Sequence, residues 1–456
     1  MRIHFIAIGG SAMHNLAIAL KNKGYKITGS DDEIFEPSLT RLRNNGLLPA
    51  YSGWNTYVIT PELDAIVLGM HARSDNPELL KAKELGIKIY SYPEYLYEQT
   101  KDKTRVVVGG SHGKTTITSM IMHVLKQSGV GFDYMVGAQL DGFDNMVGFS
   151  HETRFAVFEG DEYLTSPIDP RPKFHVYKPN IAIISGIAWD HINVFPTFEN
   201  YKNQFSIFID SIEPNGTLIY CNDDAEVVDV VKSSNRKDIN YIPYSTQEYS
   251  VDNAGNYSLV SGGNSFPLKV FGKHNVQNIG ATKAVCSLLG VTDSQFYGAI
   301  GTFKGAAKRL QCLAENGSTR VFLDFAHSPS KVGATLKAVR EAYPNRELVA
   351  CFELHTFSSL NKDFLSQYKD TLLGADFPMV YFNPHTIEHK RLPQISIEEV
   401  KAGFGQQNLQ VYTNSEELLA KLNDFSWENK NLLIMTSGNF SGVNLQELAE
   451  KIAGKR

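Results

Sequence analysis

Cysteine is scarce in this chain, and the few present are scattered. Cys221, Cys286, Cys312 and Cys351 make no Cys-x-x-Cys pair, which argues against a disulfide framework or a thiolate zinc site and fits a reducing cytoplasm. Long apolar runs are absent too. The opening Ile3 to Ile8 stops at Gly9-Gly10, too soon for a secretory leader, and no later run suits a membrane span. Nor is there a long basic run: 20% of residues are charged and the net charge is -5, which excludes a typical nucleic-acid binder. A chain of 456 residues exceeds what one core serves, so two or three domains are expected.

Two glycine signatures are incomplete. The dinucleotide pattern Gly-x-Gly-x-x-Gly fails because positions 7 and 12 are alanine, and the full phosphate-loop spacing fails because position 108 is valine. What is present at the second place is still informative. Val106-Val107-Val108 feeds Gly109-Gly110-Ser111-His112-Gly113-Lys114-Thr115-Thr116 and an amphipathic stretch follows. Backbone N–H groups of such a turn converge on phosphate oxygens, Lys114 suits the outer phosphates, and the Thr115 hydroxyl suits Mg2+. ATP or GTP is the expected ligand.

The first 31 residues pattern as strand, glycine turn, helix and strand, with Gly9, Gly10 and Ser11 in the turn and Asp31 after the second strand. Asp64 to Gly69 and Gly86 to Tyr90 add two strands. Phe155 to Phe158, Ile181 to Ile184 and Thr217 to Tyr220 follow the phosphate loop, and Tyr241 to Phe271 has the alternation of antiparallel hairpins appended to that sheet. A third set lies at Arg320 to Asp324, Leu348 to Phe352, Met379 to Phe382 and Leu432 to Thr436. The expected fold is therefore α/β in three domains: 1–100 Rossmann-like, 101–311 a central phosphate-loop ATPase domain with a parallel sheet plus a small antiparallel part, and 312–456 Rossmann-like.

Candidate chemistry gathers where those strands end. Glu159 follows Phe158 in the cluster Glu159-Gly160-Asp161-Glu162 and is a candidate Mg2+ ligand beside Thr115; a solvated acidic turn is the alternative. Asp190-His191 follows Ile184 through a Ser-Gly loop, and His191 suits a metal or a phosphate, although structural histidines are commoner. Asn275 and Asn278 lie one helical turn apart, so both amides suit an adenine edge, while helix capping by Asn275 is an equal alternative. Arg309 follows Gly305 near a domain junction, and Asp324 and His327 close another strand.

Taken in order, these segments resemble the Mur ligases, which build the peptide stem of peptidoglycan. The resemblance covers essentially the whole chain: the glycine turn at 9–10, Gly110 to Thr116, Glu159 to Glu162, Asp190-His191, Gly272-Lys273-His274-Asn275, Arg309, and Asp324-Phe325-Ala326-His327-Ser328-Pro329. The shortened phosphate loop is that of this family, which accounts for Val108. The resemblance implies an ATP-dependent ligase that phosphorylates the lactyl carboxylate of UDP-N-acetylmuramate and passes the acyl group to an amine. It implies catalytic roles for Lys114, Glu159, His191 and Arg309, Mg2+ on Thr115, Glu159 and His191, and ATP contacts from Gly110 to Thr116, Asn275, Asn278, Arg309 and Asp324. Substrate contacts are implied for Gly9, Gly10, Ser11, Asp31 and His71 in a UDP-sugar-binding first domain, and for His327 and His355 in an acceptor-binding third domain.

The stretch Met435 to Gly442 resembles the family branch whose acceptor is the tripeptide L-alanyl-γ-D-glutamyl-meso-diaminopimelate, so that acceptor is expected. Free L-alanine, and a non-catalytic protein that only binds the nucleotide sugar, are the alternatives. The expected partners are small-molecule substrates, with no nucleic acid and no membrane; the sequence leaves the oligomeric state open. The chain departs from the usual family residues at Gly186, Ala188 and Ser328, at His14-Asn15, and at His355, where an arginine would suit a peptide carboxylate.

Overall fold

The computed structural model describes residues 1–150 and 152–454. The chain divides into two compact units: residues 1–187 with 202–245 and 281–299, and residues 188–201 with 246–280 and 300 onwards.

The first unit opens with β1 (Arg2–Ile6), β2 (Lys26–Ser30), β3 (Ala65–Leu68) and β4 (Ile89–Ser91), a parallel sheet in the order β2-β1-β3-β4. Its central strands are buried apolar runs, as a sheet covered on both faces requires. Ala7, which replaces the first glycine of the dinucleotide pattern, takes φ 65°, a conformation that glycine adopts at lower cost. The close approach is made from the other side: a Cβ on Gly69 would come within 3.0 Å of the Ala7 Cβ.

The same unit then adds β5 (Thr104–Gly109), β6 (Phe132–Met135), β7 (Val147–Gly148), β8 (Phe155–Glu159), β9 (Leu164–Ser166), β10 (Asp169–Pro172), β11 (Ile181–Ile184), β12 (Thr217–Cys221) and β13 (Asn240–Tyr244). Seven of them form one sheet, β13-β12-β11-β5-β8-β6-β7, parallel except for β7, while β9 and β10 make a small hairpin. Val108 is a fully buried strand residue paired with Ile183 and Glu159. A glycine there would start the turn too early.

The hairpins expected over Tyr241 to Phe271 are not appended to this sheet. Tyr241 to Tyr244 belong to β13, its parallel edge strand, where Pro243 is tolerated because an edge leaves one row of N–H groups unused. The antiparallel part is a separate sheet of the second unit, β14 (Tyr249–Val251), β15 (Tyr257–Ser261) and β16 (Asn264–Pro267).

The second unit continues with β17 (Gln311–Glu315), β18 (Arg320–Asp324), β19 (Glu347–Leu354), β20 (Phe377–Phe382), β21 (Gln410–Tyr412) and β22 (Lys430–Met435). The order is β17-β18-β22-β19-β20-β21, parallel except for β17. Val321, Leu323, Val349, Cys351, Met379, Leu432 and Ile434 pack in one core, each large side chain contributing about 1.5–3 kcal/mol. β17 and β21, both unexpected, are edge strands with mostly exposed or half-buried side chains and so lack an apolar signature. Among the described residues no helix is long and apolar enough to cross a membrane, and all four cysteines are free.

Candidate active site

At the phosphate loop the chain turns from β5 into the helix Lys114–Gln127 through Gly110 and Gly113, with φ 135° and 78°. A Cβ on Gly110 would overlap the Ser185 hydroxyl. Ser185 follows β11 and locks the turn, donating N–H to Gly109 O at 3.1 Å and its hydroxyl to His112 O, while Ser111 N–H donates to Gly186 O at 2.9 Å. The first turn of the helix has no intrahelical acceptors for its leading N–H groups, and its positive dipole end favours an anion.

Lys114 and Glu162 form a buried ion pair at 2.5 Å, and the ammonium also donates to Gly110 O at 2.7 Å. Burial alone would lower the lysine pKa, but Glu162, with Asp161 and Glu159, outweighs it and holds the group cationic. Sequence reasoning placed Glu162 only in an acidic cluster. Its distinguishing signal is its place three residues past a buried strand.

Thr115 Oγ donates to Glu159 at 2.8 Å, and Gly137 N–H donates to the other oxygen at 2.7 Å. β8 runs one residue further than expected, so that Glu159 is its last residue rather than the first after it. Two hard oxygen donors meeting beside a helix N-terminus fit Mg2+ held with phosphate oxygens. Among the described residues no three His, Cys, Asp or Glu side chains gather as a metal site, and His191 belongs to the second unit. The departure at Gly186 has a cause here: a Cβ there would overlap the His112 imidazole.

In the sheet of β1 to β4, Asp31 accepts the Gly9 N–H at 2.6 Å and is nearly buried. Burial pushes its carboxyl pKa up. One oxygen thus braces the turn rather than facing outward. Gly10 precedes the helix Ser11–Asn22, Ser11 is exposed, and His71 is exposed in the loop after β3. His14, a departure from the family, is buried, with Nδ1 3.0 Å from both Gly10 O and Ser38 Oγ. Asn15 accepts the Met146 N–H at 3.2 Å.

In the second unit Asp190 is buried, 3.5 Å from both Lys331 Nζ and His327 Nε2. Burial would raise its pKa, but Lys331, then His327, hold it well below the usual carboxylate range. Asp190 accepts the His191 N–H at 2.8 Å and His191 takes φ 53°. Lys331 was missed; it lies in the first turn of the helix Pro329–Ala342, and His327 stands just before that helix.

Asn275 does not cap its helix, which begins at Lys273; its amide donates to Phe271 O at 2.8 Å. Asn275 and Asn278 are both buried. Asp324, expected to face the nucleotide sugar, accepts the Leu310 N–H at 2.6 Å, and Arg309 lies 4.9 Å over the Phe325 ring. Asp324 therefore fixes the turn that presents Arg309. At the end of β19, Glu353 accepts from the Thr436 hydroxyl and the Phe440 N–H, and lies 3.8 Å from His355 Nδ1.

The same architecture is found by comparison with known proteins. Residues 2–104 match the Mur ligase family catalytic domain, 108–286 the Mur ligase middle domain, and 308–440 the Mur ligase glutamate ligase domain. The UDP-N-acetylmuramate–L-alanine ligase of Caldicellulosiruptor bescii is 35% identical over 82% of this chain and 81% of its own length. The chain belongs to the Mur ligase family. Two solved structures share its fold. The UDP-N-acetylmuramate-alanine ligase of Thermotoga maritima has TM-score 0.71 and 21% identity, covering 100% of this chain and 99% of that one. A murein peptide ligase of Psychrobacter arcticus has TM-score 0.66 and 21% identity, covering 99% of each chain. As a Mur ligase, the protein is an ATP-dependent enzyme that forms carbon–nitrogen bonds.

Proposed function

We propose that this Mur ligase joins the lactyl carboxylate of UDP-N-acetylmuramate to the amine of L-alanine, with ATP as the phosphoryl donor. The ordered loop from Gly110 to Lys114, ending in a buried lysine beside a helix N-terminus, carries the ATP half of the reading. The acceptor rests on relatives at 31% and 35% identity that are named for L-alanine. The carboxylate oxygen attacks the γ-phosphorus and ADP leaves. The amine nitrogen then attacks the acyl phosphate carbon, inorganic phosphate departs with the bond's electrons, and the nitrogen loses a proton.

Lys114 and Arg309 balance negative charge on the transferring oxygens. Thr115 and Glu159 hold Mg2+, with His191 as ligand of a second ion; bound Mg2+ supplies further charge neutralisation there. Asn275 and Asn278 face adenine, and Asp324 lies toward the nucleotide sugar. Gly9, Gly10, Ser11, Asp31 and His71 serve the UDP group, and His327 and His355 the reacting substrates.

The tripeptide acceptor is the second reading, and one observation favours it. The stretch that resembles the tripeptide-adding branch wraps the end of β19, with Gly438 packed so closely on Glu353 and His355 that a Cβ would come within 2.7 Å of both. Phosphate release with UDP-N-acetylmuramate, Mg-ATP and each acceptor separates the two. Higher kcat/KM for L-alanine is expected; higher kcat/KM for the tripeptide reverses the assignment, and no release with either removes both.

A further inference from the structure

β19 and β20 run in parallel register to their C-terminal ends, Glu353 beside Tyr381 and Leu354 beside Phe382. Open α/β sheets place ligands at such ends. Two segments leave from there, His355 to Phe357 and the short helix Pro384–His389 with Lys390 and Arg391 after it. The second segment carries His385, His389, Lys390 and Arg391 against a single acidic residue, Glu388, which lies 3.5 Å from His385.

Lys390 stands out within this group. It is half-buried, its Nζ lies 4.5 Å from the centroid of the exposed Phe357 ring, and among the described residues it meets no carboxylate and no hydrogen-bond acceptor. The nearby buried carboxylate, Glu353, is already engaged by Thr436 and Phe440. Burial lowers the Lys390 pKa, as it must for an ammonium with no anion beside it. A lysine at a helix C-terminus can serve the helix dipole, but this ammonium sits over an aromatic face instead of on the helix carbonyls. An ammonium held partly out of water and lacking an anion is a site prepared for one.

The geometry points to Lys390 as the residue that binds a carboxylate of the acceptor, its ammonium steadied by Phe357 and flanked by His355. This rests on the acceptor reading above and sharpens it. The carboxylate is either the α-carboxylate of L-alanine or the C-terminal carboxylate of the peptide. It also takes over the recognition that an arginine at position 355 would provide.

The test is steady-state phosphate release by the full-length protein with UDP-N-acetylmuramate and Mg-ATP. L-alanine and the tripeptide are each compared with their C-terminal carboxamides, in wild type, Lys390→Met and Lys390→Arg. For the acceptor that turns over, Lys390→Met should raise KM by roughly 10- to 100-fold with kcat and the KM values for ATP and UDP-N-acetylmuramate nearly unchanged. Lys390→Arg should recover most of that loss. The matching carboxamide should show the same KM in wild type and Lys390→Met, a comparison that holds even if the variant is less stable. An acceptor KM that does not respond to Lys390→Met, or a carboxamide equally sensitive to it, overturns the inference and leaves the acceptor reading standing. Wild-type enzyme that uses neither acceptor overturns both.

Discussion

At the phosphate loop of the first unit the reactive side chains already have partners: Lys114 is held by Glu162, and Thr115 by Glu159. At the end of β19 in the second unit, Glu353 is equally well satisfied, but Lys390 faces no carboxylate. The two regions therefore answer their ligands differently. On the proposed reading ATP would exchange internal pairs for phosphate contacts at a turn whose shape is already fixed, whereas the acceptor would itself bring the partner of an open charge. Rigid backbone geometry suits a ligand common to a whole family. A single exchangeable side chain suits the part of the reaction in which family members differ.

The largest effect that would break this contrast is at Lys114. Lys114→Ala should reduce turnover by about 10³-fold or more, measured as phosphate release. A lysine that contacted only phosphate could be removed without loss of stability, but the buried pair adds a second consequence. Glu162 is 1% exposed, and removing the Lys114 ammonium takes a cation away from that buried carboxylate, at about 3–5 kcal/mol. A lowered melting temperature is therefore expected, and Glu162→Gln in the same protein should restore it without restoring turnover. Wild-type turnover in Lys114→Ala would remove the loop from the chemistry, and unchanged melting would remove the internal pair.

A smaller effect separates backbone shape from charge. Gly110 has φ 135° and no room for a Cβ beside Ser185, whereas Gly298, inside the helix Asp293–Ile300, has open space around it. Gly110→Ala should destabilise by roughly 2–4 kcal/mol and lower turnover, because strain and overlap add. Gly298→Ala should instead be neutral or stabilise by about 0.5–1 kcal/mol. Equal melting temperatures for the two variants would mean that the turn is not held in this shape.

That difference also explains what was legible in the sequence. β11 and β18 were located to the residue because a parallel strand covered on both faces is an uninterrupted apolar run with abrupt ends. The phosphate loop was legible because only glycine suits its dihedral angles. β17 and β21 were not, since an edge strand buries too little to leave a pattern, and β13 was mistaken for a hairpin because Pro243 interrupts its run. At the candidate site, Glu159 was expected opposite Thr115 from its strand-end position, and the two side chains meet at 2.8 Å. Asp324 and Asp31 were recognised as strand-end carboxylates, yet the hydrogen bonds that turn them toward Leu310 and Gly9 depend on loop paths that no local pattern encodes. Lys331 and Lys390 escaped for the same reason, each being defined by a neighbour brought in from a distant segment.

The smallest expected effect tests whether Glu353 is scaffold or reagent. Its two oxygens accept from the Thr436 hydroxyl and from the Phe440 N–H at 3.1 and 3.2 Å, and Phe440 and Ser441 both hold left-handed dihedral angles, φ 50° and 60°, in the loop it anchors. Glutamine keeps one acceptor oxygen, enough for both donors, and presents its amide nitrogen toward His355. Glu353→Gln should therefore change stability by less than about 1 kcal/mol, while Glu353→Ala, which strands both donors, should cost roughly 2–4 kcal/mol. If Glu353 only shapes the loop, Glu353→Gln should alter the acceptor KM by no more than about threefold, a tenth or less of the largest change expected at Lys390. A fall in kcat with the acceptor KM unchanged would instead place the Glu353 charge in the reaction itself, and the acceptor side would then resemble the phosphate loop more closely than Lys390 alone suggests.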